Sequence, residues 1–262
     1  MDRNNMDTNK LSFESVLSVA VKIPGVKINR DEFLKSELKK YCADNIVDKA
    51  ISNTPLQAGI EKKIIDRIAK NCINYETTKV TAISAVAGIP GGFAMFGTIP
   101  ADLAQYFGHV LRVMQKTIYL YGWESLFNDN GELDDETKSI LTVLFGVMFG
   151  VQTATGLLNK IIPNLSNAVE KKLLATALTK TTIYPIVKKI AKAIGVKMTK
   201  EVFAKGVAKT VPLIGAVANG GLTFISFKPM ASKFRKYIAD LSQNQDSVDL
   251  GRIIIEDYEE TV

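Results

Sequence analysis

The chain has 262 residues, with 33 lysines and arginines against 27 aspartates and glutamates, two cysteines and one histidine. A chain of this length buries roughly 70–75% of the surface it exposes unfolded, so one domain stands without disulfides or structural metal. Cys42 and Cys72 form no Cys-x-x-Cys pair and His109 has no second histidine, which excludes a zinc site and leaves the thiols as small apolar residues of a reducing compartment.

The hydrophobic period is helical almost throughout, and only 252–258 alternates at period two, so the fold expected is all-α: a single multi-helix bundle with Gly-rich central helices. The opening MDRNNMDTNK and the patch after it carry no secretory-signal pattern, and the cytoplasm is the expected address. A first helix over 11–21 should stop at Ile23-Pro24-Gly25. Asn29 with Glu32 reads as a capping box opening a helix with Phe33, Leu34, Leu38 and Tyr41 on one face. Thr54, Pro55 and Gln57 start another helical turn, and a longer helix from Glu61 buries Ile64, Ile65, Ile68 and Cys72. The run Gly88-Ile89-Pro90-Gly91-Gly92 breaks the pattern. The next helix is expected from Pro100 to Gly122, a natural C-terminal stop.

The acidic segment 128–136 does not fit a calcium loop. With Gly131 as the sixth position, the first ligand would be Leu126 and the bidentate one Thr137. It reads instead as a solvated turn before a helix capped by Asp134, which carries the most apolar core of the chain over 140–151, with Gly146 and Gly150 four apart. Further on, Ile186, Val187, Ile190 and Ile194 share one helix face while Lys188, Lys189 and Lys192 take the other. Pro229 should stop or kink the chain before a last helix that turns Met230, Phe234, Ile238 and Leu241 inward. The expected organisation is an N-terminal helical extension over 1–30, a helical domain over 31–242 and an acidic tail over 243–262.

Three runs, 80–101, 139–159 and 210–227, hold no charge, whereas 141–239 carries 15 basic and 2 acidic residues, a net +13. The runs are long enough to span a bilayer, but Pro90 and Pro100 interrupt the first, Gln152, Thr153, Thr155 and Asn159 dilute the second, and Pro212 and Asn219 mark the third. Buried bundle helices are the expectation, with Gly88, Gly91, Gly92, Gly108, Gly146, Gly150, Gly215 and Gly220 at close helix crossings. All but one of the 15 bases are lysines, which lack the guanidinium fork for reading guanine, so no specific nucleic acid is expected. An anionic leaflet suits them better.

No phosphate loop, nucleophile elbow or His-Glu-x-x-His motif occurs, so no catalytic, cofactor or metal-binding residues are assigned. The candidate ligand-binding stripe is Asp102, Gln105, His109, Arg112 and Lys116, recurring at steps of three and four on one helix. The same spacing equally describes the solvated face of an amphipathic helix. Gly108 beside it points to a close neighbour, since glycine there costs about 1 kcal/mol against alanine.

The segments IPGGFAMFGTIPADLAQYFGHVLRVMQKTIYLYGW and VFAKGVAKTVPLIGAVANGGLTFISFKPMASKFRKYI resemble two blocks of the EcsC family: the Gly-rich entry, Pro-Ala-Asp-Leu helix and Tyr-Gly exit of one, and the Val-Pro-x-x-Gly-Ala-x-x-Asn pattern of the other. Lys228-Pro229 departs from the small-residue continuation of that family. A fainter similarity links the chain to the helical C-terminal domain of certain membrane-associated GTPases, without their GTPase module. The EcsC resemblance implies a helical bacterial protein tied to envelope processes through an ABC transporter operon, with no established activity. The resulting expectation is a non-enzymatic protein of the cytoplasm or peripheral inner membrane that binds anionic lipid or a membrane protein. The alternative is a soluble enzyme or small-ligand-binding protein using the stripe around His109.

Overall fold

The computed structural model describes residues 13–87, 95–96, 99–127, 133–161, 180–193 and 227–242. Among these the architecture is all-α, with nine helices: α1 (Phe13–Lys22), α2 (Arg30–Leu38), α3 (Asp44–Ser52), α4 (Lys62–Ala87), α5 (Ala101–Leu120), α6 (Asp135–Met148), α7 (Gln152–Ile161), α8 (Lys180–Ala193) and α9 (227–242). One antiparallel pair of two residues each, Met95–Phe96 and Ile99–Pro100, leads into α5, with Met95 opposite Pro100.

Local chemistry sets the helix ends. Asn29 accepts a hydrogen bond from Glu32 N at 2.9 Å and Asp134 accepts one from Thr137 N at 2.7 Å, each side chain filling an orphan donor of a first turn. Thr54 Oγ1 accepts from Gln57 N at 3.1 Å and opens a single helical turn. Gly122 ends α5 at φ +95°, with its N–H on Tyr119 O and Trp123 N–H on Ile118 O, the paired bonds of a Schellman stop. Tyr41, expected inward after α2, is 37% exposed because the helix ends at Leu38 and the chain turns before it.

Gly150 departs from the expected close crossing shared with Gly146: it lies at φ +71° with nothing within 4 Å of where its Cβ would stand. Its N–H bonds Val147 O and that of Val151 bonds Gly146 O, so it is the left-handed stop that divides the charge-free run 139–159 into α6 and α7. Gly146 is different. A Cβ there would stand 2.5 Å from Ala154 Cβ on α7 and 2.6 Å from Ile186 Cγ2 on α8, so its bare backbone is what lets α6 lie against both. Gly88, Gly91, Gly92, Gly215 and Gly220 lie outside the described residues, as do 252–258.

Two helices are covered on nearly every side. In α6, Leu141, Val143, Leu144 and Phe145 are fully buried, and α5 presents no exposed side chain among those described. Phe13 of α1 packs edge-on against Phe145 at 5.5 Å and tilted against Phe107 at 6.0 Å, while Phe107 and Phe145 stack at 5.1 Å. The segment read as an N-terminal extension therefore contributes Phe13, Val16 and Leu17 to the central core. Around this pair, α4 and α1 pack on α5, α8 packs on α1, and α7 packs on α8. The last helix closes the circuit: Tyr237 donates to Thr155 O of α7, and Arg235 reaches Asp66 of α4. Pro229 lies among the helical residues of α9 and not ahead of them as expected, and Phe227, Ala231, Phe234 and Ile238 face inward, with Met230 and Leu241 at the half-buried margin. No described helix is long and apolar enough to cross a membrane.

Candidate functional site

Three members of the α5 stripe, His109, Arg112 and Lys116, turn toward α4, where Glu76 faces inward with 1% of its surface exposed; His109 is buried, while Arg112 and Lys116 keep 20% and 16% exposure. The α4 period explains this placement: Ile65, Ala69, Cys72, Glu76 and Val80 recur at steps of three and four on the buried face. Glu76 Oε2 meets His109 Nδ1 at 2.7 Å, Oε1 accepts from Lys116 Nζ at 2.7 Å, and Arg112 Nη1 stands 3.9 Å from Oε2. One carboxylate thus gathers three bases from successive turns of α5.

Burial pushes the Glu76 carboxyl up, and the hydrogen bonds and charges of His109 and Lys116 more than reverse this, holding it below its ordinary 4.5. Because a carboxylate only accepts, His109 Nδ1 donates to Glu76. Its Nε2 is buried and meets no hydrogen-bond partner among the described residues. A ring oriented by a carboxylate, with its second nitrogen bare, is the arrangement of a general base or a ligating imidazole. His109 is only 2% exposed, so the ring is closed from solvent.

Arg112 is spent largely on the chain between α1 and α2, donating from Nε to Gly25 O at 2.9 Å and from Nη2 to Pro24 O at 3.4 Å. Beside it, Gly108 would carry a Cβ 3.1 Å from Val26 Cγ2, so this connection presses directly on the α5 backbone. Gln105 is half-buried one turn before His109. Asp102 belongs to the first turn of α5, and its side chain lies outside the described set. The structure therefore brings His109, Arg112 and Lys116 together around Glu76, a residue the stripe had not included.

Three further polar groups escaped the sequence reading. Fully buried Gln115 donates to Val26 O at 2.8 Å and accepts from Ile28 N at 3.0 Å, closing backbone groups that the α1–α2 connection leaves open. Arg30, 6% exposed, donates to Trp123 O, Ile51 O and Asn53 O at 3.0, 2.8 and 2.9 Å, tying the ends of α3 and α5 to the start of α2. Arg235 donates to Asp66 Oδ1 at 2.7 Å and to the Tyr121 hydroxyl at 3.2 Å, while that hydroxyl itself donates to Asp66. The described residues hold no group of three or more His, Cys, Asp or Glu suited to a metal ion.

No family model, curated protein or solved structure matches this chain. The EcsC resemblance accordingly rests on the two sequence blocks that carry it.

Away from this seam, α8 carries a second kind of surface. Ile186, Val187, Ile190 and Ala191 are buried against its neighbours, and Lys188, Lys189 and Lys192 are exposed. These three lysines make no ion pair among the described residues, and the only carboxylates in 141–239 are Glu170 and Glu201. Lys189 does donate to Gly150 O at 3.2 Å, at the α6–α7 corner.

Proposed function

We propose that this is a non-enzymatic helical protein of the EcsC type that docks on the cytoplasmic face of a bacterial membrane through lysines, with anionic headgroups as its first contact. An envelope protein, of the ABC-transporter kind that the resemblance implies, is the second partner of this reading. The observation that carries it is the uncompensated ammonium face of α8, made by exposed Lys188, Lys189 and Lys192. Each lysine near an anionic leaflet contributes about 1 kcal/mol, so the three of α8 alone supply roughly 3 kcal/mol, and several together give weak, reversible attachment. The absence of a spanning helix among the described residues accords with attachment at the surface.

Co-sedimentation tests this. Vesicles containing phosphatidylglycerol should pull the protein down at low salt and release it as ionic strength rises, whereas pure phosphatidylcholine vesicles should leave it in the supernatant. The triple variant K188E/K189E/K192E should bind about a hundredfold more weakly, as the loss of roughly 3 kcal/mol requires. Equal binding to both vesicle types would reject the proposal.

The second reading, a soluble enzyme or small-ligand-binding protein, draws on the bare Nε2 of His109. It is the weaker because both members of the Glu76–His109 pair are closed from solvent. Under it, H109A should abolish a ligand-dependent signal that the unmodified protein gives.

A further inference from the structure

The outer side of α4 is cationic by segregation of charge along a single helix. Both of its carboxylates are paired, Glu76 in the buried seam by Lys116 and His109 and Asp66, 26% exposed, by Arg235. Its exposed side carries Lys63, Arg67, Lys70 and Lys79, a stretch of about 24 Å at 1.5 Å per residue. No acidic side chain of Lys62–Ala87 joins that face. Within it stands Tyr75, 55% exposed, with Lys79 Nζ 5.2 Å and Lys116 Nζ 5.4 Å from its ring centroid. An exposed tyrosine among ammonium groups is the composition of a membrane–water boundary, where the ring rests at headgroup depth and the charges meet phosphate.

This face is remote from α8. Going one way round the bundle, α4 packs on α5, α5 on α1 and α1 on α8. Going the other way, α4 is joined to α9 by Asp66 and Arg235, α9 to α7 by Tyr237 and Thr155, and α7 packs on α8. Along these contacts two helices intervene in each direction, so the two lysine-bearing helices are not neighbours but stand on different sides of the bundle.

We infer that the protein is a two-sided electrostatic adaptor: while α8 rests on one anionic bilayer surface, the outer face of α4 holds a second anionic bilayer surface. The inference rests on the docking reading of α8 given above.

The test is clustering of vesicles made from equal parts of phosphatidylglycerol and phosphatidylcholine, followed by turbidity and dynamic light scattering beside co-sedimentation. The wild type should both sediment with the vesicles and cluster them, and salt should reverse the clustering. The variant K63E/R67E/K70E, altered only at exposed positions, should still sediment through α8 but lose the turbidity rise, with a thermal melt like that of the wild type. Variant K188E/K189E/K192E should lose clustering in the same way. Binding without clustering by the wild type would overturn the two-sided arrangement and leave α8 docking standing. Undiminished clustering by the α4 variant would overturn the assignment to α4. No sedimentation of the wild type at low salt would instead remove the docking reading beneath it.

Discussion

Replacing Glu76 with glutamine tests the centre of the α4–α5 seam. The substitution keeps volume and removes charge, leaving the Lys116 ammonium, 16% exposed, beside a neutral amide. The amide can still accept from Lys116 through its oxygen, but its nitrogen then faces His109 Nδ1, and the ring can accept only by moving its proton to Nε2, where no described partner waits. Breaking a buried pair by removing one partner costs about 3–5 kcal/mol, and the partial exposure of Lys116 lowers this to about 2–4 kcal/mol. At about 2–4 °C per kcal/mol for a chain of this size, Tm should fall by roughly 10 °C. Urea unfolding of both proteins at pH 7 gives the free-energy difference directly. The sign with pH is fixed by the lowered Glu76 value: its contribution is complete above the ordinary 4.5 and is lost as pH falls below it through the native value, so the gap between the proteins should narrow in acid. A difference under about 0.5 kcal/mol at pH 7, the range of ordinary surface changes, would refute the claim that this carboxylate holds the two helices in register.

Gly146→Ala should destabilise by up to about 2 kcal/mol, since overpacking of about 1–3 kcal/mol against Ala154 Cβ and Ile186 Cγ2 exceeds the roughly 1 kcal/mol gained by removing a helical glycine; Gly156→Ala in exposed space on α7 should instead stabilise slightly, and chemical denaturation of the pair distinguishes crowding from propensity. Burial pushes the Cys72 thiol up to about 12, so iodoacetamide at pH 8 should alkylate half-buried Cys42 first and reach Cys72 only on unfolding, as read by peptide mass spectrometry; equal rates in the native protein would contradict the packing of α4.

The helices were legible in the sequence where a cap or a stop residue stands next to a period of 3.6. Asn29, Asp134 and Gly122 act as their residue types dictate, and the division of α8 into Ile186, Val187 and Ile190 inward and lysines outward follows from spacing alone. Gly150 was misjudged because two glycines four apart look alike in sequence, whereas only the backbone angle separates a left-handed stop from a close crossing. The stripe on α5 was legible as a stripe, but not as a buried one, because its partner Glu76 is on another helix. A signal existed: Glu76 recurs in step with Ile65, Ala69 and Cys72, and a charge on an apolar face needs a counter-charge from its neighbour. Arg235 and Asp66 carried no such mark, since a pair 169 residues apart leaves no local pattern.

That separation has a consequence for how the molecule is made. Asp66 and Tyr121 leave the ribosome before Arg235, by about 8–34 s and 6–23 s at ordinary rates of synthesis. During that interval α4 and α5 can pair, because their contacts span shorter loops, but the side of the bundle that α9 covers stays open. A nascent chain in this state shows apolar surface and an unmatched carboxylate, and chaperone engagement should be confined to the time before the last helix arrives.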